Sequence, residues 1–378
     1  MTKHLALLTL AAAALAACEP NRNFTGPAAS LQAARDANVS ADLTGPGTVY
    51  TLTNQVAGNS VAAFTRAADG TLSAAGIVAT GGTGTGAGLG SQGPVALSDD
   101  GRWLFAVNAG SNDVSVFSVG PAGLALASRT ASGGTLPISL SVHGTVLYVL
   151  NAGGDGNISG FTVGSSGALT PIAGATLALS GSNVGPAEVQ FSPDGNRLVV
   201  TEKTTNRLDV YAVDANGVAS GPTTTASAGG TPFGFAFGHR HDLFVSEAAG
   251  SASSYVLDAS GHLTLVSGAV STHRGAPCWA VVTADGRFGF TGNGAGSVSA
   301  FAIAPDGAIS LVDADGGTAV IGAGVNDITL SNNSRYLYVL QVSGAQAIHA
   351  FHIQADGHLT PLGPVGGLPA GTRGLVAR

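Results

Sequence analysis

One short pattern occurs seven times along the 378 residues, and few architectures can accommodate it. An aromatic residue sits among alternating small or β-branched residues, and a glycine follows six positions later: Phe64/Gly70, Phe117/Gly123, Phe161/Gly167, Tyr211/Gly217, Tyr255/Gly261, Phe301/Gly307 and Phe351/Gly357. The aromatic residues lie 53, 44, 50, 44, 46 and 50 residues apart. Each copy reads as a strand entering a tight turn, such as Ala68-Asp69-Gly70 or Pro305-Asp306-Gly307, and leaving as a second strand through Leu72, Leu169 or Leu359. A second pattern precedes it, a turn leading into a strand that ends in a polar residue. Ser98-Asp99-Asp100-Gly101 leads to Asn108, Ser192-Pro193-Asp194-Gly195 to Glu202, Thr283-Ala284-Asp285-Gly286 to Asn293, and Ser331-Asn332-Asn333 to Gln341. Apolar stretches at 94–98, 187–192 and 279–283 stand before these turns. Four short strands in every period of about 48 residues are the mark of propeller blades.

The count also closes. The first unit begins at Val49 without an opening strand, and residues 372–377 supply a segment of the missing kind. The expectation is an all-β, seven-bladed β-propeller of four-stranded antiparallel blades, closed by the C-terminal strand and spanning 46–378. A helical repeat of the same period fails, because the apolar positions alternate by two and glycine interrupts about every ten residues. Composition agrees: 57 glycines furnish the turns, and 44% hydrophobic against 10% charged residues furnish a large core.

Net charge is −7, and the only lysines are Lys3 and Lys203. Nucleic-acid binding needs a cationic face to displace counterions, so that class is set aside. The expected partners are a small polar ligand or an envelope protein, with the chain a monomer and no cofactor.

The N-terminus reads as an export signal, 1–17. Lys3 and His4 precede residues 5–17, an apolar run with one threonine that is too short to cross about 30 Å of hydrocarbon. It ends in Leu15-Ala16-Ala17-Cys18, which resembles the lipobox of bacterial lipoproteins; the alternative is an ordinary cleavage site beside an incidental cysteine. The resemblance implies a lipid on Cys18, a stable membrane anchor, and, with Glu19 following, outer-membrane sorting toward the periplasm. Residues 18–45 read as the lipidated cysteine and a flexible tether. Cys278 is then the one remaining thiol, which leaves no intrachain disulfide.

The aromatic-strand G-x-L pattern, together with S-x-D-G-R-x-L/F before a strand ending in Asn or Glu, resembles the lactonase-type seven-bladed propellers. These include the propeller 6-phosphogluconolactonases and the carboxymuconate lactonising enzymes. The resemblance implies a functional His and two Arg at inner-strand starts and a Glu ending a second strand. Here the His position falls at Ala187, the Arg positions at Phe233 and Cys278, and the Glu position at Glu247.

In a propeller, the starts of inner strands and the ends of second strands share one face around the axis. The second strands end at Asn54, Asn108, Asn151, Glu202, Glu247, Asn293 and Gln341. These residues either cap strands by bonding turn amides or form a polar ring that orients a polyhydroxylated ligand. Glu188 begins the inner strand of the blade that carries Glu202. Glu247 or Glu202 is therefore a candidate general base for water attack on a lactone carbonyl, with Arg373, His273 and Arg274 as oxyanion or ligand contacts or, equally, as solvated loop residues. Cys278 lacks a neighbouring His in its strand and reads as a buried hydrophobe. No metal is expected, because His239-Arg240-His241 lacks a third ligand at useful spacing. The glycine run 81–86 opens no helix and reads as a flexible connection between blades. Two functions follow: hydrolysis of a sugar-derived or carboxylated lactone, or a non-catalytic envelope propeller that binds a ligand or protein.

Overall fold

The structure, a computed structural model, describes residues 45–238 and 242–378. The export signal, Cys18, the tether up to residue 44 and the 239–241 turn lie outside the described residues. Seven antiparallel sheets follow one another along the chain. Six are formed by consecutive strands, and the remaining one is completed by Arg373–Ala377 pairing beside Gly47–Leu52, as the missing opening strand required. The innermost strands form a ring in which each touches the next: Arg373–Ala377, Val95–Leu97, Pro137–His143, Pro186–Phe191, Pro232–Phe237, Pro277–Val282 and Val325–Leu330, the last returning to the first. Blades 1 to 7 are numbered from the sheet containing Gly47–Leu52.

The repeated residues explain the blades. In blades 2, 4 and 6 the Ser or Thr that opens the first turn bonds both the turn carboxyl and the strand beyond. Ser192 Oγ donates to Asp194 at 2.6 Å and accepts from Arg197 N at 3.0 Å; Thr283, Asp285 and Phe288 N repeat the arrangement. Gly195 and Gly286 close these turns at φ of 72° and 69°, a region that costs other residues strain. Second and third strands are buried on both faces because neighbouring blades pack against them, so Leu198, Val199 and Val200 all have 0% exposure. Outer strands such as Leu72–Ala79 are largely exposed.

The ring is locked at its seam. Thr51 Oγ1 donates to Gly374 O at 2.5 Å, Arg378 N donates to Thr48 O at 3.0 Å, and the buried Arg66 guanidinium donates to Arg378 O at 3.3 Å.

Candidate functional site

Six inner strands carry a β-bulge at their second residue: Ile138, Ala187, Phe233 (with Gly234), Cys278, Asn326 and Gly374 (with Leu375) are skipped in the pairing with the second strand. A bulge re-aims a side chain and is common beside functional sites. Ala187, Phe233 and Cys278 are the three positions at which the resemblance expects basic residues. Instead they join one buried apolar cluster with Trp279. Phe233 and Trp279 meet edge-on at 5.6 Å, and the Lys203 ammonium lies 5.0 Å over the Phe233 ring. Burial brings Lys203 down to about 8 and pushes the Cys278 thiol up to about 12, so this thiol is a packed group and not a nucleophile.

Across this end of the axis runs the glycine-rich connection between blades 1 and 2. The Gln92 side chain reaches blade 6, where Oε1 accepts from Ala280 N and Nε2 donates to Ala280 O, both at 2.8 Å. Its backbone N–H donates to Ala187 O in blade 4 at 3.2 Å, and Trp279 Nε1 donates to Ser91 O at 3.1 Å.

The expected polar ring at this mouth is corrected. Asn54, Asn108, Asn151, Glu202, Glu247, Asn293 and Gln341 have 0 to 5% exposure, and none lines the axial cavity. Their side chains instead bond blade connections and third strands. Glu247 accepts from Gly229 N (2.7 Å), Ser253 Oγ (2.6 Å), Ser251 Oγ (2.5 Å) and Ser227 Oγ (3.2 Å). Glu202 accepts from Ser180 N (3.0 Å), Ser180 Oγ (2.6 Å) and Thr205 Oγ1 (2.6 Å). The amides behave alike: Asn54 grips Thr85 and Ala87, Asn108 bonds Asp113 and Ser115, Asn151 bonds Ser132 and Ser159, Asn293 bonds Ser297 and Ser299, and Gln341 bonds Ala323 and His349. Asn54, Glu202 and Glu247 accept from connection N–H groups that no strand pairs, whereas Asn108, Asn151, Asn293 and Gln341 donate through their amide nitrogens. The structural alternative thus describes these seven tips.

The basic candidates do not converge either. Arg274 donates to Asp315 at 2.6 Å, within an exposed pair at the next connection. His273 is exposed beside Ser271. Arg373 is half-buried, its Nη1 donates to Thr372 O at 2.6 Å, and burial lowers its pKa.

What the axis holds is a cavity of about 640 Å³, bounded by Gln92 at one end and reaching the turn residues Asp99, His143 and Pro193 at the other. Two carboxyls face it from opposite blades, Glu188 of blade 4 and Asp327 of blade 7, at 3% and 1% exposure. Glu188 Oε2 accepts from Phe235 N at 2.7 Å, and Asp327 Oδ1 accepts from its neighbour Ile328 N at 2.8 Å. Burial pushes both well above the usual carboxylate range, and the Asp327 charge pushes Glu188 further. No lysine or arginine among the described residues lines the cavity. Asp327 occupies the same inner-strand position as Glu188: Pro186-Ala187-Glu188 aligns with Val325-Asn326-Asp327, each with a bulged middle residue. Aligning the inner strands as repeats is the signal that would have found it.

Residues 48–184, the first three blades, match the family model described as lactonase, 7-bladed beta-propeller. No curated protein matches the chain. Among solved structures, the periplasmic gluconolactonase PpgL of Pseudomonas aeruginosa is similar, with 19% identity over 88% of this chain and 99% of that one and a TM-score of 0.70. A protein from Lactobacillus plantarum gives 19% identity, 88% and 99% coverage and a TM-score of 0.72. A candidate 6-phosphogluconolactonase of Bacteroides fragilis gives 19% identity, 88% and 98% coverage and 0.70. At this identity the likeness is one of fold. The family match supports a lactonase-like propeller, and Glu188 and Asp327 lie beyond the matched stretch.

Proposed function

We propose that this chain belongs to the lactonase-type propellers and hydrolyses an uncharged, sugar-derived lactone inside the axial cavity. The observation that carries the proposal is the pair of buried carboxyls, Glu188 and Asp327, facing one cavity that no lysine or arginine among the described residues lines. Two such groups in a poorly hydrated site do not both ionise readily, so one stays a neutral acid while the other is a base. The base takes a proton from water as the water oxygen bonds the lactone carbonyl carbon. The ring C–O bond then breaks, and the leaving alkoxide takes a proton from the neutral carboxyl, giving the hydroxy acid. A phosphorylated or carboxylated substrate would place its anion against these carboxyls with nothing to neutralise it. The candidate base thereby shifts from Glu247 and Glu202, which hold blade connections, to Glu188.

The test is hydrolysis of D-glucono-1,5-lactone followed by pH-stat. Glu188→Gln and Asp327→Asn are each expected to lower the enzymatic rate by about a hundredfold, in the range of a lost general acid or base. Unchanged rates would remove the pair from the reaction. Replacement of the family's basic residues by Ala187, Phe233 and Cys278 favours a second reading, in which the cavity binds such a ligand without turning it over.

We also place the propeller, 46–378, at the cell envelope, held by a lipid on Cys18 after removal of 1–17 and joined through 18–45. The Leu15-Ala16-Ala17-Cys18 run supports this reading. Labelled palmitate should enter the wild-type protein in a bacterial host and should not enter Cys18→Ser.

A further inference from the structure

The two ends of the cavity are built differently. At the end where the inner strands start, residues 86–93 are tied down on several sides at once. Ser91 Oγ donates to Ile138 O in blade 3 at 2.7 Å, Leu140 N donates to Gly93 O at 2.8 Å, and the Lys203 ammonium bonds Gly90 O. Leu89 packs against the cores on both sides, and Ser91 and Gln92 have 7% and 8% exposure. With the Gln92 and Trp279 bonds, opening this end would strip several buried polar groups of their partners together. At the opposite end the cavity runs out to the turns of Asp99, His143 and Pro193.

Inside, Gln190 Oε1 and Asp327 Oδ2 have no hydrogen-bond partner of good geometry from the protein, although the Leu375 N–H stands near the Asp327 carboxyl, and both residues line the cavity. Buried polar atoms in folded proteins are almost always paired, so two orphans in one cavity point to a polar guest. Both oxygens are covered where they stand, so each meets a ligand hydroxyl by a turn of its side chain, and the Asp327 carboxyl can do so whether protonated or not.

We infer that the cavity is a binding pocket loaded from the turn end, with Gln92 and Gly93 as its fixed floor, and that it takes an uncharged polyhydroxy ligand whose hydroxyls meet Gln190 Oε1 and Asp327 Oδ2. The inference deepens the lactone reading by giving the route and the gripping atoms, and it rests on the same cavity. It runs against the face on which the family resemblance places its basic residues, because that face is sealed here.

Binding is measured by calorimetry with D-glucono-1,5-lactam, a stable probe, on the purified protein. Ala236 and Thr329 line the cavity on its turn-end side, so Ala236→Trp and Thr329→Tyr block the proposed route from two different blades. Gly88 lies on the sealed side, and a Cβ added there comes no nearer than 3.7 Å to Arg373 Nη2, so Gly88→Trp adds bulk to the strap from a position with room for its Cβ. Both blocking variants and Gln190→Leu are expected to weaken binding about tenfold or more, about 1.4 kcal/mol, whereas Gly88→Trp stays within about twofold. Thermal melting checks each fold; if Ala236→Trp melts low, Thr329→Tyr decides. Loss of binding in Gly88→Trp with retention in the two blocking variants would overturn the inference, as would no lactam binding by the wild type. Lactam binding with the expected pattern but no lactone turnover would leave the inference standing and remove the hydrolytic reading.

Discussion

Among single residues, exposure and donor count separate two kinds of buried carboxylate. Glu247 accepts from a backbone N–H and three hydroxyls, so every near neighbour donates to it. An amide there would turn its own N–H groups toward donors. Glu247→Gln is therefore expected to cost about 1–3 kcal/mol of stability while leaving lactone turnover unchanged, and parallel denaturation and rate measurements check both halves. Asp209 carries a different strain. It sits at 0% exposure beside Glu202, and burial, followed by the neighbouring Glu202 carboxyl, pushes it up to about 7. Other blades place Ser115, Ser159, Ser253 or Ser299 at this point against the second-strand tip. The folded protein thus keeps a proton that the unfolded chain releases near 3.8, so this contribution to stability is present at low pH and is lost as pH rises through about 7. The melting temperature should fall between pH 5 and pH 8, and Asp209→Asn should flatten that fall; identical slopes would show that the pair does not carry it.

At the level of elements, the blades were legible in the sequence and the site was not, for a physical reason. Turns are local: Ser192-Pro193-Asp194-Gly195 contains its own hydrogen-bond partners, so the pattern states the structure. The course of residues 86–93 is set by non-local contacts, above all Gln92 with Ala280, 188 residues away, and a run of glycines carries no trace of that pairing. The direction of inner-strand side chains likewise depends on bulges at Ala187 and Asn326, which alternation by two does not reveal. The sequence therefore singles out Glu188 only through its place beside Glu202, and its alternation carries no sign of Asp327 or Gln190. If the strap is a fixed floor, the Gln92 amide, which donates to Ala187 O, should exchange with deuterium at a rate near that of the innermost strands. Exchange as fast as that of an exposed loop would instead make it a mobile cover.

Taken whole, the molecule depends on the last strand to remove the open edges between first and last blades. Deleting 372–378 would expose the edge of Gly47–Leu52 and strip the buried Arg66 of its carbonyl partner, and aggregation or a large loss of melting temperature is expected on gel filtration and thermal scanning. Closure also creates the site, because Glu188 and Asp327 face one another only when seven inner strands surround one axis. The most direct measurement is a crystal structure of the protein soaked with D-glucono-1,5-lactam. Density for the sugar ring between Glu188 and Asp327, with hydroxyls on Gln190 Oε1, is the predicted result. Density outside the strap, against Lys203 and Arg373, with the axial cavity holding only water, would contradict it.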